Sequence, residues 1–305
     1  MYRRLSAALG KGGPMATGII PIDKPQGWTS QDVAARLRRV FDTRRIGHGG
    51  TLDPMATGVL PIFVGRATRA VEFFEGADKE YLATLRLGLL TDTEDITGRV
   101  LERRPVHVTR EELTSVLSRF LGPQTQIPPM YSALKVNGRK LYELARQGRE
   151  VPRQPRPITI HRLELLEFTG EDCRLRVVCS KGTYIRTLCR DIGLALGCGG
   201  CMAALCRSRA GTYTLEQAVP LQLLLDRAEA GEHVSSLLLP IDSMFQNCPP
   251  VHLTPRQEKA CRNGAAFSLP LAPGSYRLYG ASEFLALGQC DGAVMKTIKS
   301  FFEVS

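Results

Sequence analysis

The sequence predicts an α+β fold, in which a mixed, largely antiparallel sheet is flanked by helices. Strand-like and helix-like patterns follow one another irregularly, without the repeating strand–helix–strand order of a doubly wound fold. A chain of 305 residues has room for one large domain and a smaller one. Near residue 250 the pattern changes to short strands separated by turns. We therefore expect a main domain over residues 18–247 and a small β-rich module over residues 250–305.

Helices are predicted where apolar side chains recur at helical spacing after a capping residue. The strongest pattern covers residues 110–121, where Thr109 and Glu112 form a capping box and Gly122-Pro123 ends the helix. Thr29 or Ser30 can cap a helix in the same way. The further helices predicted on these grounds cover residues 31–41, 186–196 and 255–263.

Strands are predicted from short apolar runs and from alternating patterns. Tyr81 and Leu85 fall on one face of such a pattern, and Thr84 falls on the other. The predicted strands cover residues 59–64, 81–87, 158–168 and 173–179. The glycine-rich segment 46–58 between two of these elements is expected to form an exposed loop.

The charge of the chain indicates an anionic partner. Lys and Arg exceed Asp and Glu, which gives a net charge of +10 and a pI of about 9.3. Nucleic acid and an acidic membrane surface both fit such a field. No apolar run approaches the ~18 residues of a membrane span, and the N-terminus lacks the apolar core of a secretory signal. We expect residues 1–17 to be a disordered leader.

Cysteine usage points to a reducing compartment. The nine cysteines are odd in number and lie in the second half of the chain, which favours free thiols in a cytoplasmic protein. Cys198 and Cys201 form the one close pair, and no second pair accompanies them. We therefore expect a turn there, and no metal site.

The loop 46–58 contains Asp53 next to Pro54, surrounded by glycines. Pro54 favours an extended backbone at Asp53, so the carboxylate should be held in place. Taken alone, an Asp-Pro pair in a loop is most often a turn. The glycines would also allow close approach of a ligand, although neither common phosphate-binding motif is present.

A long segment of this loop resembles a family signature. The run from Gly47 to Pro61, GHGGTLDPMATGVLP, is similar to the signature of the TruB family of tRNA pseudouridine synthases. Further segments match in order: Asp23–Gly27, Lys79–Tyr81, Thr91–Asp95, Pro128–Lys135 and Cys179–Arg186. The resemblance covers roughly residues 18–245. It implies an enzyme without a cofactor that isomerises the uridine of the TΨC loop, position 55 of tRNA, after flipping the base out.

The resemblance also implies roles for individual residues. Asp53 is the nucleophile, and because it must be ionised we expect the cation of Arg186 beside it. Tyr81 is the aromatic residue that stacks on the base. Four further positions are implied to bind or line the substrate site: His48, Tyr184, Leu205 and Lys24. Without the motif, each would be an ordinary core, loop or surface residue.

Two questions concern function beyond the motif. The last 55 or so residues resemble a shortened RNA-binding module of the PUA type, although they carry few basic residues.

A tRNA-folding chaperone with secondary or lost catalysis, and a glycosylase that releases uracil, are the alternatives to the isomerase. For the isomerase and for the chaperone, the expected partner is the T stem-loop of tRNA, bound by a monomer.

Overall fold

The computed structural model describes residues 16–136 and 138–303. The expected leader, residues 1–17, lies outside this part of the chain except for its last two residues. Of these, Ala16 packs against the main core. The helices are α1 (Ser30–Val40), α2 (Val71–Phe74), α3 (Arg110–Ser118), α4 (Leu141–Arg146), α5 (Ile185–Ala195), α6 (Leu221–Glu229) and α7 (Pro255–Arg262). Short 3-10 helices cover Gly65–Ala70, Leu215–Gln217, Val234–Leu237 and Ile241–Phe245.

The strands form one large sheet, one smaller sheet and two hairpins. They are β1 (Gly18–Lys24), β2 (Ile46–His48), β3 (Thr57–Val64), β4 (Lys79–Leu87), β5 (Leu89–Thr91), β6 (Val100–Arg103), β7 (Gly122–Gln126), β8 (Lys135–Val136), β9 (Arg139–Lys140), β10 (Arg156–Phe168), β11 (Asp172–Cys179), β12 (Gly200–Ala210), β13 (Tyr213–Thr214), β14 (Val219–Pro220), β15 (Pro250–His252), β16 (Phe267–Ser268), β17 (Gly274–Tyr279), β18 (Phe284–Cys290) and β19 (Val294–Ser300).

The large sheet has ten strands in the order β14-β1-β3-β12-β4-β11-β10-β7, with β2 added to β3 and β13 to β12. Only β1–β14 and β3–β12 pair in parallel. The predicted mixed, largely antiparallel sheet is thereby confirmed. The predicted loop 46–58 is shorter in the structure, because β2 takes its first three residues and β3 its last two. The parallel pairing of β3 with β12 sets Thr57 and Gly58, which follow the loop, beside Cys206 and Arg207.

The smaller sheet has the order β15-β17-β18-β19-β16 and lies in the last part of the chain, as predicted. A shared apolar cluster joins it to the large sheet, since Phe63 of β3 and Phe301 belong to the same buried group. Two basic side chains also cross between the sheets: Arg66 lies 3.7 Å from Glu283, and Arg69 donates to the carbonyl of Ser300 at 3.2 Å. The division of the chain near residue 248 stays a prediction.

The predicted helices differ from the observed ones mainly at their ends. Thr29, not Ser30, caps α1, and Ser30 is the first helical residue. Helix α3 ends at Ser118, although the apolar pattern continues to Leu121. The amide of Leu121 bonds to the carbonyl of Ser118, so the last turn tightens and the chain leaves the α-helix.

All nine cysteines are free, as predicted.

Candidate active site

Asp53 lies on the loop between β2 and β3, and backbone hydrogen bonds hold this loop on both sides. The amide of Gly49 donates to the carbonyl of Pro61 at 2.8 Å, and the amide of Ala56 donates to the carbonyl of Asp53 at 3.0 Å. The amide of Gly27, in the turn after β1, donates to the carbonyl of Pro54 at 2.7 Å. The side chain of Asp53 remains 39% exposed. The loop is therefore fixed while its carboxylate is accessible.

Arg186 of α5 meets this carboxylate. Its Nε lies 2.9 Å from Asp53 Oδ2, and its side chain is only 5% exposed. The other two nitrogens donate to the carbonyls of Thr93 at 3.1 Å and Tyr131 at 2.7 Å. Because each nitrogen has an acceptor, the guanidinium can occupy one orientation and fixes the carboxylate opposite it.

The segment that holds Arg186 is itself ordered by carboxylates. Asp95 Oδ2 lies 4.0 Å from Arg186 Nε. Asp95 Oδ1 accepts from the hydroxyls of Thr93 at 2.8 Å and Thr97 at 2.6 Å. The adjacent Glu94 has a φ of 63° and forms an ion pair with Arg190 of α5. Asp95 thus acts on the site through the loop around Arg186.

Lys24 lies at the end of β1 and has no exposed surface. Its ammonium donates to the carbonyls of Pro25 at 2.9 Å and Trp28 at 2.7 Å, with Pro54 at 3.4 Å. Burial lowers the pKa of Lys24 to about 8, partly offset by the nearby charge of Asp53. In this arrangement Lys24 supports the loop from inside, whereas contact with a ligand would require it to leave the interior.

Arg207 bonds to the loop, and Tyr81 lies beside Arg207 on the neighbouring strand. They are cross-strand neighbours on β4 and β12, and Arg207 is 1% exposed. Its guanidinium donates to the carbonyls of Val59 at 2.7 Å and Gly50 at 3.1 Å. Burial raises the pKa of Tyr81, although the charge of Arg207 opposes the shift, so the phenol is neutral near pH 7.

His48 is the last residue of β2, at the start of the same loop. Its Nε2 lies 3.4 Å from the side-chain nitrogen Nε2 of Gln31. Burial lowers the pKa of His48, and the charge of Arg207 lowers it further, so the imidazole is neutral near pH 7. A neutral ring can enter an apolar or stacked environment at little electrostatic cost.

Tyr184 and Leu205 lie on separate elements, at the start of α5 and on β12. Tyr184 precedes α5, and its backbone exchanges two hydrogen bonds with the side chain of Gln126, at 2.8 and 3.0 Å. Burial raises the pKa of Tyr184, and the charge of Asp53 adds to the shift. Leu205 is buried on β12, opposite Ala83 of β4. Of the seven predicted residues, Asp53 lies on the loop and His48 directly precedes it. Arg186 and Lys24 bond to the loop, and Tyr81, Tyr184 and Leu205 lie on neighbouring elements.

Two further observations concern metal ions and membranes. Within residues 16–136 and 138–303, no group of three His, Cys, Asp or Glu side chains is placed to bind a metal ion. In the same part of the chain, no helix is both long and apolar enough to cross a membrane.

Comparison with known proteins decides the family. The model of the TruB family pseudouridylate synthase N-terminal domain matches residues 38–185, and that of the tRNA pseudouridylate synthase B C-terminal domain matches residues 186–246. A protein named tRNA pseudouridine synthase B from Aromatoleum aromaticum is 45% identical over 90% of this chain and 89% of its own. The protein of that name from Azoarcus sp. strain BH72 is 46% identical over 89% of this chain and 90% of its own.

The chain belongs to the TruB family of pseudouridine synthases. The sequence-based prediction of an isomerase of this family is thereby confirmed. Solved structures agree with it. A chain of an H/ACA ribonucleoprotein bound to a substrate RNA containing 2′-deoxyuridine has a TM-score of 0.72, with 27% identity over 95% of this chain and 86% of its own. A chain of a Cbf5–Nop10–Gar1 complex has a TM-score of 0.71, with 28% identity over 94% of this chain and 86% of its own.

Two supporting residues of this TruB family site were not predicted from sequence. Arg207 lies in β12, where two register shifts against β4 interrupt the alternation of buried and exposed residues. The sequence offers no sign that this arginine is buried, since a lone arginine is usually solvated. Glu94 belongs to a matching segment, but its positive φ and its bonds to α5 depend on the tertiary fold.

Proposed function

We propose that this protein converts the uridine of the TΨC loop of tRNA to pseudouridine, with Asp53 as the nucleophile. The observation that carries the proposal is the exposed carboxylate of Asp53, held 2.9 Å from the buried guanidinium of Arg186. The guanidinium fixes the orientation of the carboxylate, and an oriented carboxylate can act as a nucleophile. The relatives named above are called tRNA pseudouridine synthase B, which supports tRNA as the substrate.

The reaction needs no external electron or group donor. The bond between N1 and C1′ breaks, the base turns, and C5 bonds to C1′, while C5 loses a proton and N1 gains one. A carboxylate that bonds covalently to the nucleoside divides this rearrangement into smaller steps. Attack on the ribose, attack on the base and proton abstraction from the ribose all remain open routes for Asp53.

The neighbours of Asp53 supply what a flipped base requires. Tyr81 is neutral near pH 7, so its ring can stack on the uracil and its hydroxyl can donate a hydrogen bond. Tyr184, which is partly buried, and Leu205, which is buried, are the apolar contacts that we propose for the base. His48, which is neutral and lies at the start of the loop, is placed to fill the gap that the flipped base leaves in the RNA stack.

Exposed basic side chains near the site support RNA binding. Arg44 and Arg45 are exposed directly before β2. The segment after Tyr131, whose carbonyl holds Arg186, exposes a second group: Lys135, Arg139, Arg146 and Arg149. Phosphates of the T stem-loop are suitable partners for both groups. Arg66 and Arg69 are less available, because they bond to the C-terminal sheet.

One chain supplies every residue of the proposed site, so we propose that the protein acts as a monomer. The nine free thiols favour the cytoplasm as its location.

A folding chaperone would need the basic surface but not the Asp53–Arg186 pair, and this pair therefore favours catalysis. A glycosylase would use similar carboxylate chemistry but release the base.

The proposal is tested with an unmodified tRNA transcript and a matched transcript in which cytidine replaces the TΨC uridine. We expect one pseudouridine per molecule in the first transcript and none in the second, mapped by mass spectrometry. Release of free uracil would indicate a glycosylase, and binding without product would indicate a chaperone. Affinity for tRNA should fall about tenfold or more between 50 and 200 mM salt, because bound phosphates release counterions.

A further inference from the structure

Ser30 makes a contact that its position in a helix does not require. It is the first residue of α1 and is 1% exposed. Its Oγ accepts a hydrogen bond from the amide of Leu52 at 2.9 Å and donates one to the carbonyl of Leu52 at 3.2 Å. One hydroxyl thus satisfies both backbone groups of the residue that precedes Asp53.

A serine at the start of a helix usually bonds to its own helix, where it competes for the free amides. In α1 that task belongs to Thr29, whose Oγ1 accepts from the amide of Asp32 at 3.0 Å while the carboxylate of Asp32 accepts from Thr29. The capping box therefore leaves the hydroxyl of Ser30 free to bond to the loop.

Pro54, which follows Asp53, bonds to the turn that precedes Ser30. The carbonyl of Pro54 accepts from the amide of Gly27 at 2.7 Å and lies 3.4 Å from the ammonium of Lys24. The turn from Lys24 to Ser30 thus contacts both neighbours of Asp53. On the Pro54 side, the amide of Gly27 makes the shorter bond. On the Leu52 side, the hydroxyl of Ser30 makes both contacts.

Loss of this hydroxyl would leave two polar groups without their partner in a buried place. Leu52 is buried, so water would reach its amide and carbonyl only if the loop moved. Movement of Leu52 would turn the backbone at Asp53 and shift its carboxylate relative to Arg186, which several bonds hold in place. Displacement of a reacting group by about 1 Å can reduce a rate ~100-fold.

We propose that Ser30 is a positioning residue, whose hydroxyl holds Leu52 so that the carboxylate of Asp53 faces Arg186 and the bound uridine. This inference rests on the proposed role of Asp53 as nucleophile. It assigns to the start of α1 a part in the reaction, with no contact between Ser30 and the substrate.

The test compares Ser30→Ala and the milder Ser30→Cys with the native chain. Thr109→Ala is the matched control, because it removes the cap of α3 without touching the loop. We expect Ser30→Ala to lower the single-turnover rate at saturating tRNA by ~10- to 100-fold, with the Kd for tRNA changed less than twofold. Ser30→Cys should lie between Ser30→Ala and the native chain, and Thr109→Ala should keep the native rate despite its lower melting temperature.

Hydrogen exchange provides a second measurement that does not depend on activity. The amide of Leu52 should exchange at least tenfold faster in Ser30→Ala, and at the native rate in Thr109→Ala. Native rates in both Ser30 variants, or unchanged exchange at Leu52, would overturn the proposal. If Ser30→Ala does not fold, Ser30→Cys and its exchange decide the question. A native chain that makes no pseudouridine would instead overturn the proposed function, and exchange at Leu52 would still report whether Ser30 holds the loop.

Discussion

Nε of Arg186 lies 2.9 Å from Oδ2 of Asp53, and the remaining nitrogens of Arg186 bond to the carbonyls of Thr93 and Tyr131. One buried cation thus joins the loop after β2 to two distant segments of the chain. The arrangement requires the fork-shaped guanidinium, because its three nitrogens are separate donors, whereas a lysine offers a single nitrogen at one position.

Arg186→Lys should therefore lower the rate of pseudouridine formation although it keeps the charge. We expect a loss of ~100-fold or more in the single-turnover rate, as for removal of one preorganised donor, with tRNA affinity changed less than threefold. Arg86→Lys is the control, since Arg86 forms a two-bond pair with Asp172 on the sheet, outside the site. Equal losses in both variants would show that the geometry at Arg186 has no special importance.

Gly58, at the start of β3, allows the close approach of β12. Its φ is 94°, and a Cβ there would overlap the carbonyl oxygen of Arg207 and lie 2.8 Å from its amide nitrogen. Gly170 has a φ of 91°, and among the described residues no atom lies within 4 Å of a Cβ built on it. Both substitutions by alanine carry the cost of a positive φ, about 1–2 kcal/mol. Only Gly58→Ala also carries a steric cost.

Chemical denaturation of the two variants measures the difference. We expect Gly58→Ala to lower the free energy of unfolding by about 2 kcal/mol more than Gly170→Ala, which is a typical cost of overpacking. The rate with tRNA should fall only in Gly58→Ala, because Arg207 lies below the loop of Asp53. A similar stability in both variants would mean that β3 and β12 can separate without loss.

We expect Lys24 to make the reaction dependent on pH. Burial lowers its pKa to about 8, so the ammonium loses its charge as the pH rises through 8. The charge of Asp53 would then have one neighbouring cation fewer, and the rate should fall between pH 7 and pH 9. In Lys24→Met the rate should be lower but level over this interval. A decline of equal size in Lys24→Met would assign the titration to another group, and tRNA affinity measured at each pH separates binding from catalysis.

The lowered pKa has a separate effect on stability. Between about 8 and the ordinary value of 10.5, the unfolded chain binds a proton at Lys24 and the folded chain does not. The contribution of Lys24 to the free energy of unfolding therefore rises with pH in this window and is level below it. Above pH 8 the predicted rate falls, whereas the contribution of Lys24 to the free energy of unfolding rises. The titration of Lys24 therefore cannot lower the rate by unfolding the protein.

The sequence predicted the fold class and most of the main elements because their signals are local. Capping boxes mark the starts of α3 and α7, and alternation marks β4. The pairing of β2 with β3 was not predicted, since its partner strand rather than its three residues stabilises it. Strand β12 was missed because two register shifts against β4 interrupt its alternation of buried and exposed residues.

The site residues were named from the resemblance, whereas their arrangement depends on the fold. Asp53, Tyr81 and Arg186 come from a loop, a strand and a helix, and no local pattern shows that they meet. Lys24 is predicted to bind substrate, and in the structure its buried ammonium bonds to the carbonyls of Pro25 and Trp28. The supporting bonds of Ser30 and Arg207 could not be predicted, because a buried hydroxyl or guanidinium has the same sequence signature as an exposed one. The roles of the site residues stay predictions.

The role of Asp53 is tested most directly by Asp53→Asn, which keeps the shape of the side chain and removes the nucleophile. We measure pseudouridine at the TΨC position of an unmodified transcript, beside Asp78→Asn, whose carboxylate pairs with His161 outside the site. Asp53→Asn should bind tRNA within twofold of the native affinity and lower the rate by at least ~10⁴-fold, while Asp78→Asn keeps the native rate. Pseudouridine formation by Asp53→Asn at the native rate would contradict the assignment of Asp53 as the nucleophile.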